Sequence, residues 1–329
     1  MEQMDFAKFK DTFEKKPVIA RKNHVPEKVM VSVCVQTCNH GKFIEKCLNS
    51  IITQKTSFKY EILLGDDASR DGTREICEKY AKRYPDKIRL FLHYLKNNIQ
   101  IDGKSTGIFN FLFNYFSSSG DFIAYCDGDD FWDDEYKLQK QVDYLQRHPE
   151  TVFTYHNIQV INKEGQKIKN RNFFEGIHRS FSPQELSQAI IQPPTNTWCF
   201  RKVIKEIPIE FTKSFNGDNF WISLLGHFGN GEYLEDIRPS YYRIHTDSMW
   251  SSLNKAHQLK SKYYTYLYLS KYYKRIKNTN LANYFFKRSK TYGRMLINRY
   301  LKDFKIKKLL IFSKKYLLTY YLRQITHIK

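Results

Sequence analysis

The sequence predicts an α/β protein with a doubly wound, mostly parallel sheet, followed by a basic helical region. Three observations predict this. Short apolar, β-branched runs alternate with segments of helical periodicity from residue 29 onward. The runs are apolar almost without interruption, as expected of strands buried on both faces. Several of them end in acidic residues, and the carboxyl ends of parallel strands are where open α/β sheets bind ligands.

The elements follow in order. Residues 1–28 form a lead-in of irregular or helical character. "VMVSVCVQT" from Val29 is a buried strand, and "NHGKFIEKCLNSIITQ" is a helix with Ile44, Leu48, Ile51 and Ile52 at helical spacing. "YEILLGDD" is a second strand. "SRDGTREICEKYAKRYP" is an amphipathic helix stopped by Pro85. "IRLFLHYL" is a third strand, "TGIFNFLFNYFSSSG" a helix ending at Gly120, and "DFIAYCDGDD" a fourth strand. The polar helix "KLQKQVDYLQRHPE" and the strand "TVFTYHNIQVIN" come next. Residues 163–200 are rich in turn formers, with "QPPTNTWCFRK" as a rigid loop leading back to the sheet. "GDNFWISLLGHFG" is a short helix, and "GEYLEDIRPSYYRIHTDSMW" reads as strand, turn, strand. The organisation is a lead-in 1–28, a main domain 29–252 and a helical tail 253–329. No internal repeat is present.

The chain has 329 residues and a formal charge of +20. That charge is not shared evenly. Residues 255–329 hold 20 Lys and Arg against one acid, Asp303, so the remainder is nearly neutral. The six cysteines include no CxxC pair, which excludes the common zinc-ribbon and thioredoxin patterns. Several lie in apolar runs, as reduced, buried thiols of a cytoplasmic chain would. The start "MEQMDFAKFKDTFEKK" has no apolar signal core, and no uninterrupted run reaches the roughly 18 apolar residues of a spanning helix. The expectation is a cytoplasmic protein, peripheral on the inner face of the cytoplasmic membrane if it meets a membrane at all.

The chemistry concentrates at strand ends. In "CDGDD", Asp127 and Asp129 are carried past the fourth strand, and Gly128 between them permits a tight bend and close approach of a ligand. Two carboxylates so placed suit one hard divalent cation, Mn²⁺ or Mg²⁺, which neutralises a diphosphate leaving group. An acidic, solvated turn is the plainer alternative. In "LLGDDASRDGT", Asp71 is placed to cap the following helix, while Asp66 and Asp67 face the same crevice.

These stretches carry a resemblance. "VSVCVQTCNHGKFIEKCLNSIITQ", "YEILLGDDASRDGT" and "GDFIAYCDGDDFWDDEYKLQKQVDYL" resemble, in order and across roughly residues 30–250, the family 2 glycosyltransferases of the GT-A fold. Those of bacterial capsule and surface-polysaccharide synthesis are the most similar. The resemblance implies an inverting enzyme using a nucleotide-diphospho-sugar, with UDP the most common carrier. Gln36, Thr37 and Asn39 would line the nucleotide pocket with Asp66 and Asp67. Asp127 and Asp129 would form the metal and diphosphate site. Asp218 of "NGDNFW" matches the family's catalytic base. Arg243 and His245 of "YRIHTDSMW" match the segment that closes over the donor, with His245 joining the metal. Gln36 and Cys38 replace residues that are often Pro and Tyr in the family, and Lys104 stands where many members have a donor-binding Arg.

The residue chemistry agrees with that class. A sugar hydroxyl is a weak nucleophile, and a carboxylate in reach can take its proton as it attacks the anomeric carbon. For Asp218 the alternative is an N-cap, and for His245 a hydrogen-bonded strand histidine. Trp132 and Trp221 are better read as core than as sugar platforms. A nucleotidyltransferase would want a Gly-rich basic loop after the first strand, and "QTCNHGKF" fits that poorly. A catalytically inactive scaffold binding nucleotide or glycan is the rival outside enzymes. In the tail, Ile306, Leu309, Leu310, Leu317 and Tyr320 fall at helical spacing among lysines. That pattern suits an anionic membrane surface, or a helical cap packed on the catalytic domain or on another subunit; no nucleic-acid motif accompanies it. The acceptor is expected to be a glycan or a lipid-linked sugar.

Overall fold

Val31–Thr37 lies at the centre of the main sheet because every second residue serves a different core. Val31, Val33 and Val35 enter one apolar cluster and Cys34 the opposite one. Tyr60–Asp66 repeats the pattern, with Ile62 and Leu64 on the first side and Leu63 on the second. An unbroken apolar run is therefore required, since both faces are covered. The computed structural model describes residues 3–168, 178–246, 250 and 252–325.

Among these, eight strands form one sheet in the order Asn230–Tyr233, Thr151–Tyr155, Cys199–Arg201, Phe122–Tyr125, Val31–Thr37, Tyr60–Asp66, Ile88–Leu92, Ile19–Ala20. The four strands from Phe122–Tyr125 to Ile88–Leu92 are mutually parallel. Register brings Thr37 beside Asp66 and Cys34 beside Tyr125, so the acidic segments after these strands emerge at one edge. Helices Ile44–Ile52, Thr73–Arg83 and Lys137–Arg147 cover one face, and Ile108–Ser117 and Gly217–Leu225 the other. This is the GT-A arrangement.

The expected elements differ from the structure in two places. "TVFTYHNIQVIN" is two strands rather than one: Thr151–Tyr155 in the main sheet, and Ile158–Ile161 paired in parallel with Ser240–Arg243. The chain changes sheets at His156 and Asn157, where the Asn157 side chain accepts the Ile158 amide at 2.9 Å. "QPPTNTWCFRK" is not only a loop. Its Cys199–Arg201 segment inserts antiparallel between Phe122–Tyr125 and Thr151–Tyr155. A three-residue strand has too little periodicity to distinguish it from a loop. "GEYLEDIRPSYYRI" is strand, turn, strand as expected, with its two strands in different sheets.

Helices bracket this frame. In Phe6–Phe13, capped by Asp5 accepting the Lys8 amide at 2.9 Å, Phe9 packs on Phe109. In the tail, Lys255–Arg275 and Thr279–Lys302 form an antiparallel pair started by Asn254 and Asn278, whose side chains cap the first turns. Tyr266, Leu269, Tyr273 and Phe285 of this pair join the core that contains Trp221. Arg275 donates to both oxygens of Glu210, at 2.9 and 2.7 Å. Ile306–Ile325 follows as a third helix. Of the six cysteines five are buried, Cys38 is exposed, and none is paired.

Candidate active site

The residues past the central strands meet around Gly128. A Cβ at that position would lie 2.6 Å from Thr37 Oγ1 and 2.8 Å from His40 Nδ1. Only glycine allows the acidic turn to lie so close to the first strand's end. The turn is fixed by backbone, with the Gly128 amide donating to the Gln36 carbonyl at 2.9 Å.

Asp129 lies between two histidines. His245 Nε2 is 3.0 Å from its Oδ2, and His40 Nε2 is 3.9 Å from the same oxygen. Burial pushes the Asp129 carboxyl up, but His40 and His245 outweigh it and hold it below the ordinary value. One donor atom from each of His40, Asp129 and His245 lies within 4.8 Å of the others. Imidazole and carboxylate together suit Mn²⁺ or a similar divalent ion. His40 Nδ1, Gln36 Nε2 and Thr37 Oγ1 are buried without a hydrogen-bond partner and line the same crevice. The residues therefore fit a metal and a polar ligand.

His40 was missed by sequence reasoning, which named Asp127, Asp129 and His245 as the metal set. Its signal was its place, three residues past the end of the first strand. Asp127 stands apart from the His40–Asp129–His245 group. Its Oδ2 accepts from Thr195 Oγ1 at 2.9 Å, and burial, Asp129 and Asp218 push its carboxyl up to about 7. Asp218, the second residue of Gly217–Leu225, is near enough to add to that shift. It is half-buried, accepts from Gln192 Nε2 at 3.3 Å, and is pushed up by burial. It is not the N-cap, a position held by Asn216.

The other expected residues divide. Asp67 faces the crevice, where its Oδ2 accepts from Asn98 Nδ2 at 2.7 Å, and burial followed by the Asp66 charge raises it to about 6. Asp66 is fully buried and paired with Arg74 Nε at 2.7 Å, so it holds the loop from inside. Asn39, at φ 56°, ties two loops: its amide donates to Ser69 Oγ and its Oδ1 accepts the Arg70 amide. Asp71 accepts the Thr73 amide and the Gly41 amide, so it ties the turn ahead of the helix to the first-strand loop; the N-cap expected of it is held by Gly72 instead.

Arg243 is 6% exposed, and its guanidinium is taken up by the carbonyls of Asp129, Asn162 and Lys163 at 2.9, 3.1 and 3.1 Å. It clamps the acidic turn to the closing strand. Lys104 is exposed on the Gln100–Ile101/Lys104–Ser105 hairpin, beside the tail rather than in the crevice. Trp132 and Trp221 are buried core residues, at 4% and 0% exposure.

A doubly wound sheet with an acidic turn and a histidine–carboxylate cluster past the carboxyl ends of its strands places a ligand site where such α/β folds bind them. A family model described as "Glycosyl transferase family 2" matches residues 32–208, and the chain belongs to that family. An uncharacterised glycosyltransferase of Nostoc is 27% identical over 226 residues, 65% of this chain and 65% of its own. A putative teichuronic acid biosynthesis glycosyltransferase of Bacillus subtilis, TuaG, is 28% identical over 141 residues, 43% of this chain and 51% of its own. An uncharacterised protein of Mycobacterium bovis is 37% identical over 137 residues, 42% of this chain and 37% of its own. The chain thus covers less than two-thirds of the length of these relatives. Among solved structures, S. aureus TarS 1-349 in complex with UDP-GlcNAc has TM-score 0.50 and 15% identity, covering 88% of this chain and 92% of that one. It shares the fold. Among the described residues no helix is long and apolar enough to cross a membrane.

Proposed function

We propose that this family 2 glycosyltransferase is inverting and metal-dependent. It moves a hexosyl or N-acetylhexosaminyl group from a nucleotide-diphospho-sugar, with UDP as carrier, to a glycan or lipid-linked acceptor of bacterial surface polysaccharide. The observation that carries this reading is the convergence of His40, Asp129 and His245 within 4.8 Å at the strand ends. A divalent ion held by those three would neutralise the charge that develops on the departing diphosphate.

The chain's own residues supply the rest. Asp67, with Gln36 and Thr37, lines the crevice as the nucleotide pocket. Arg243 holds the Asp129 turn and the strand before His245 in one position. Asp218 takes the proton of the attacking hydroxyl as its oxygen bonds to the anomeric carbon and the bond to the diphosphate breaks. Its raised affinity for a proton suits a general base. One displacement from the face opposite the diphosphate inverts the anomeric centre.

The test is calorimetric titration with UDP, GDP, dTDP and CMP, with and without Mn²⁺. One diphosphate binding only with metal, and not to Asp129→Ala, is the expected result. Well-folded protein that binds none of them with or without metal would overturn the reading.

A further inference from the structure

The helix Ile306–Ile325 carries apolar residues on two sides. Phe312 and Tyr316, 4% and 8% exposed, complete a small core with Tyr263, Leu296 and Tyr300. Ile306, Leu310 and Leu317 point elsewhere and are each 65% exposed. Steps of four and seven residues place them on one face of the helix. Lys307 and Lys314 are exposed beside this stripe. The tail's one acid, Asp303, is already paired with Arg299 and Lys305, at 3.0 and 3.3 Å.

Phe304 adds an independent observation. It follows the C-cap Asp303 at φ 52°, in the left-handed region where glycine or asparagine is favoured. It is also 88% exposed. An aromatic ring placed there costs backbone strain and leaves its apolar surface in water, so folding of the isolated chain gives no reason for it.

We propose that Phe304, Ile306, Leu310 and Leu317, with Lys307 and Lys314, form a docking face for an anionic lipid bilayer surface. Charge selects this occupant. A second copy seated on the face would oppose one tail carrying 20 basic residues and one acid to another. A nucleic acid supplies anions but no medium for the exposed aliphatic stripe. A bilayer with acidic headgroups supplies both. The opposite side of the helix meets the rest of the chain. Lys104, Lys308, Lys260 and Lys305 gather around His257, where burial first and then these charges disfavour protonation. Lys260 in turn pairs with Asp102 at 2.6 Å on the hairpin that follows Asn98, the partner of Asp67. This inference does not depend on the identity of the sugar donor.

The test is flotation of the full chain with phosphatidylcholine vesicles, with and without phosphatidylglycerol, at low and high salt. The chain is expected to float with the anionic vesicles at low salt and to stay behind with phosphatidylcholine alone. Ile306→Ser/Leu310→Ser/Leu317→Ser should weaken partitioning by about tenfold or more, since bound apolar area sets the affinity. Phe304→Gly should raise the melting temperature while weakening vesicle binding, a pair of opposite changes that a purely structural Phe304 would not give. No flotation with anionic vesicles would overturn the proposal. So would flotation that both variants leave unchanged, or a wild-type dimer that the triple variant converts to a monomer.

Discussion

Gly128 shows how narrow the tolerances are at the scale of one residue. With Thr37 Oγ1 and His40 Nδ1 at 2.6 and 2.8 Å from the position of an added Cβ, Gly128→Ala must displace the Asp127–Asp129 turn or the first-strand end. The variant should fold with a loss of about 1–3 kcal/mol in stability. It should bind nucleotide and metal at least tenfold more weakly by calorimetry, or by roughly 1.4 kcal/mol. Asp218→Asn should leave that binding intact and lower transfer by roughly 10²–10⁴-fold, the usual range for a general base, in a sugar-transfer assay. Asp67 gives a pH dependence. Its folded carboxyl titrates at about 6, above the roughly 4 of an unfolded aspartate. Below pH 4 both states are protonated and Asp67 is neutral in effect. As pH rises from about 4 to 6 the unfolded state releases its proton first, so stability falls, and above 6 the loss is constant. Asp67→Asn should therefore raise the melting temperature at pH 7.5 in metal-free buffer and leave it unchanged at pH 3.5. Sequence motifs located Asp127, Asp129, Asp218 and His245 because each follows or opens a recognisable element. His40 and the carbonyl clamp of Arg243 depend on which loops become neighbours, and no local pattern encodes that.

At the scale of elements, the sheet's amino-terminal edge is fixed by one buried acid. Glu61, without solvent exposure, accepts from Ser32 Oγ, the Ser119 amide and hydroxyl, and Arg89 Nη1 at 2.6, 2.7, 2.7 and 3.1 Å. This ties three strands to the turn after Ile108–Ser117. Removing the cation and leaving the buried carboxylate is costly, so Arg89→Ala should lose about 3 kcal/mol by urea denaturation at pH 7. Glu61→Gln, which keeps the shape and most hydrogen bonds, should lose less. The alternation of buried strands and amphipathic helices up to Lys137–Arg147 was legible because each element is long enough to show its period. Cys199–Arg201 was not, because its pairing with two long strands, rather than its own composition, makes it a strand. The break between Thr151–Tyr155 and Ile158–Ile161 was hidden for a related reason. Both halves are apolar, and only the change of partner strand separates them.

At the scale of the whole molecule, composition and structure divide the chain differently. Charge and tyrosine content change near residue 253, which suggests an appended tail. The first two tail helices nevertheless complete the main core. Tyr273 shares hydrogen bonds with Ser223 and His227, Arg288 reaches the carbonyls of Gln188 and Ala189, and Arg275 pairs with Glu210. Tyr266, Leu269, Tyr273 and Phe285 would leave behind exposed apolar surface next to Gly217–Leu225, the helix that carries Asp218. A chain ending at residue 253 should then be insoluble or unfolded, because several large buried side chains each contribute about 1.5–3 kcal/mol. A chain ending at residue 303 loses only the small core around Phe312 and Tyr316. It should keep a cooperative thermal transition and metal-dependent nucleotide binding. If instead the chain ending at 253 melts cooperatively and binds nucleotide, the two helices are an appendage after all, and the catalytic crevice is supported without them.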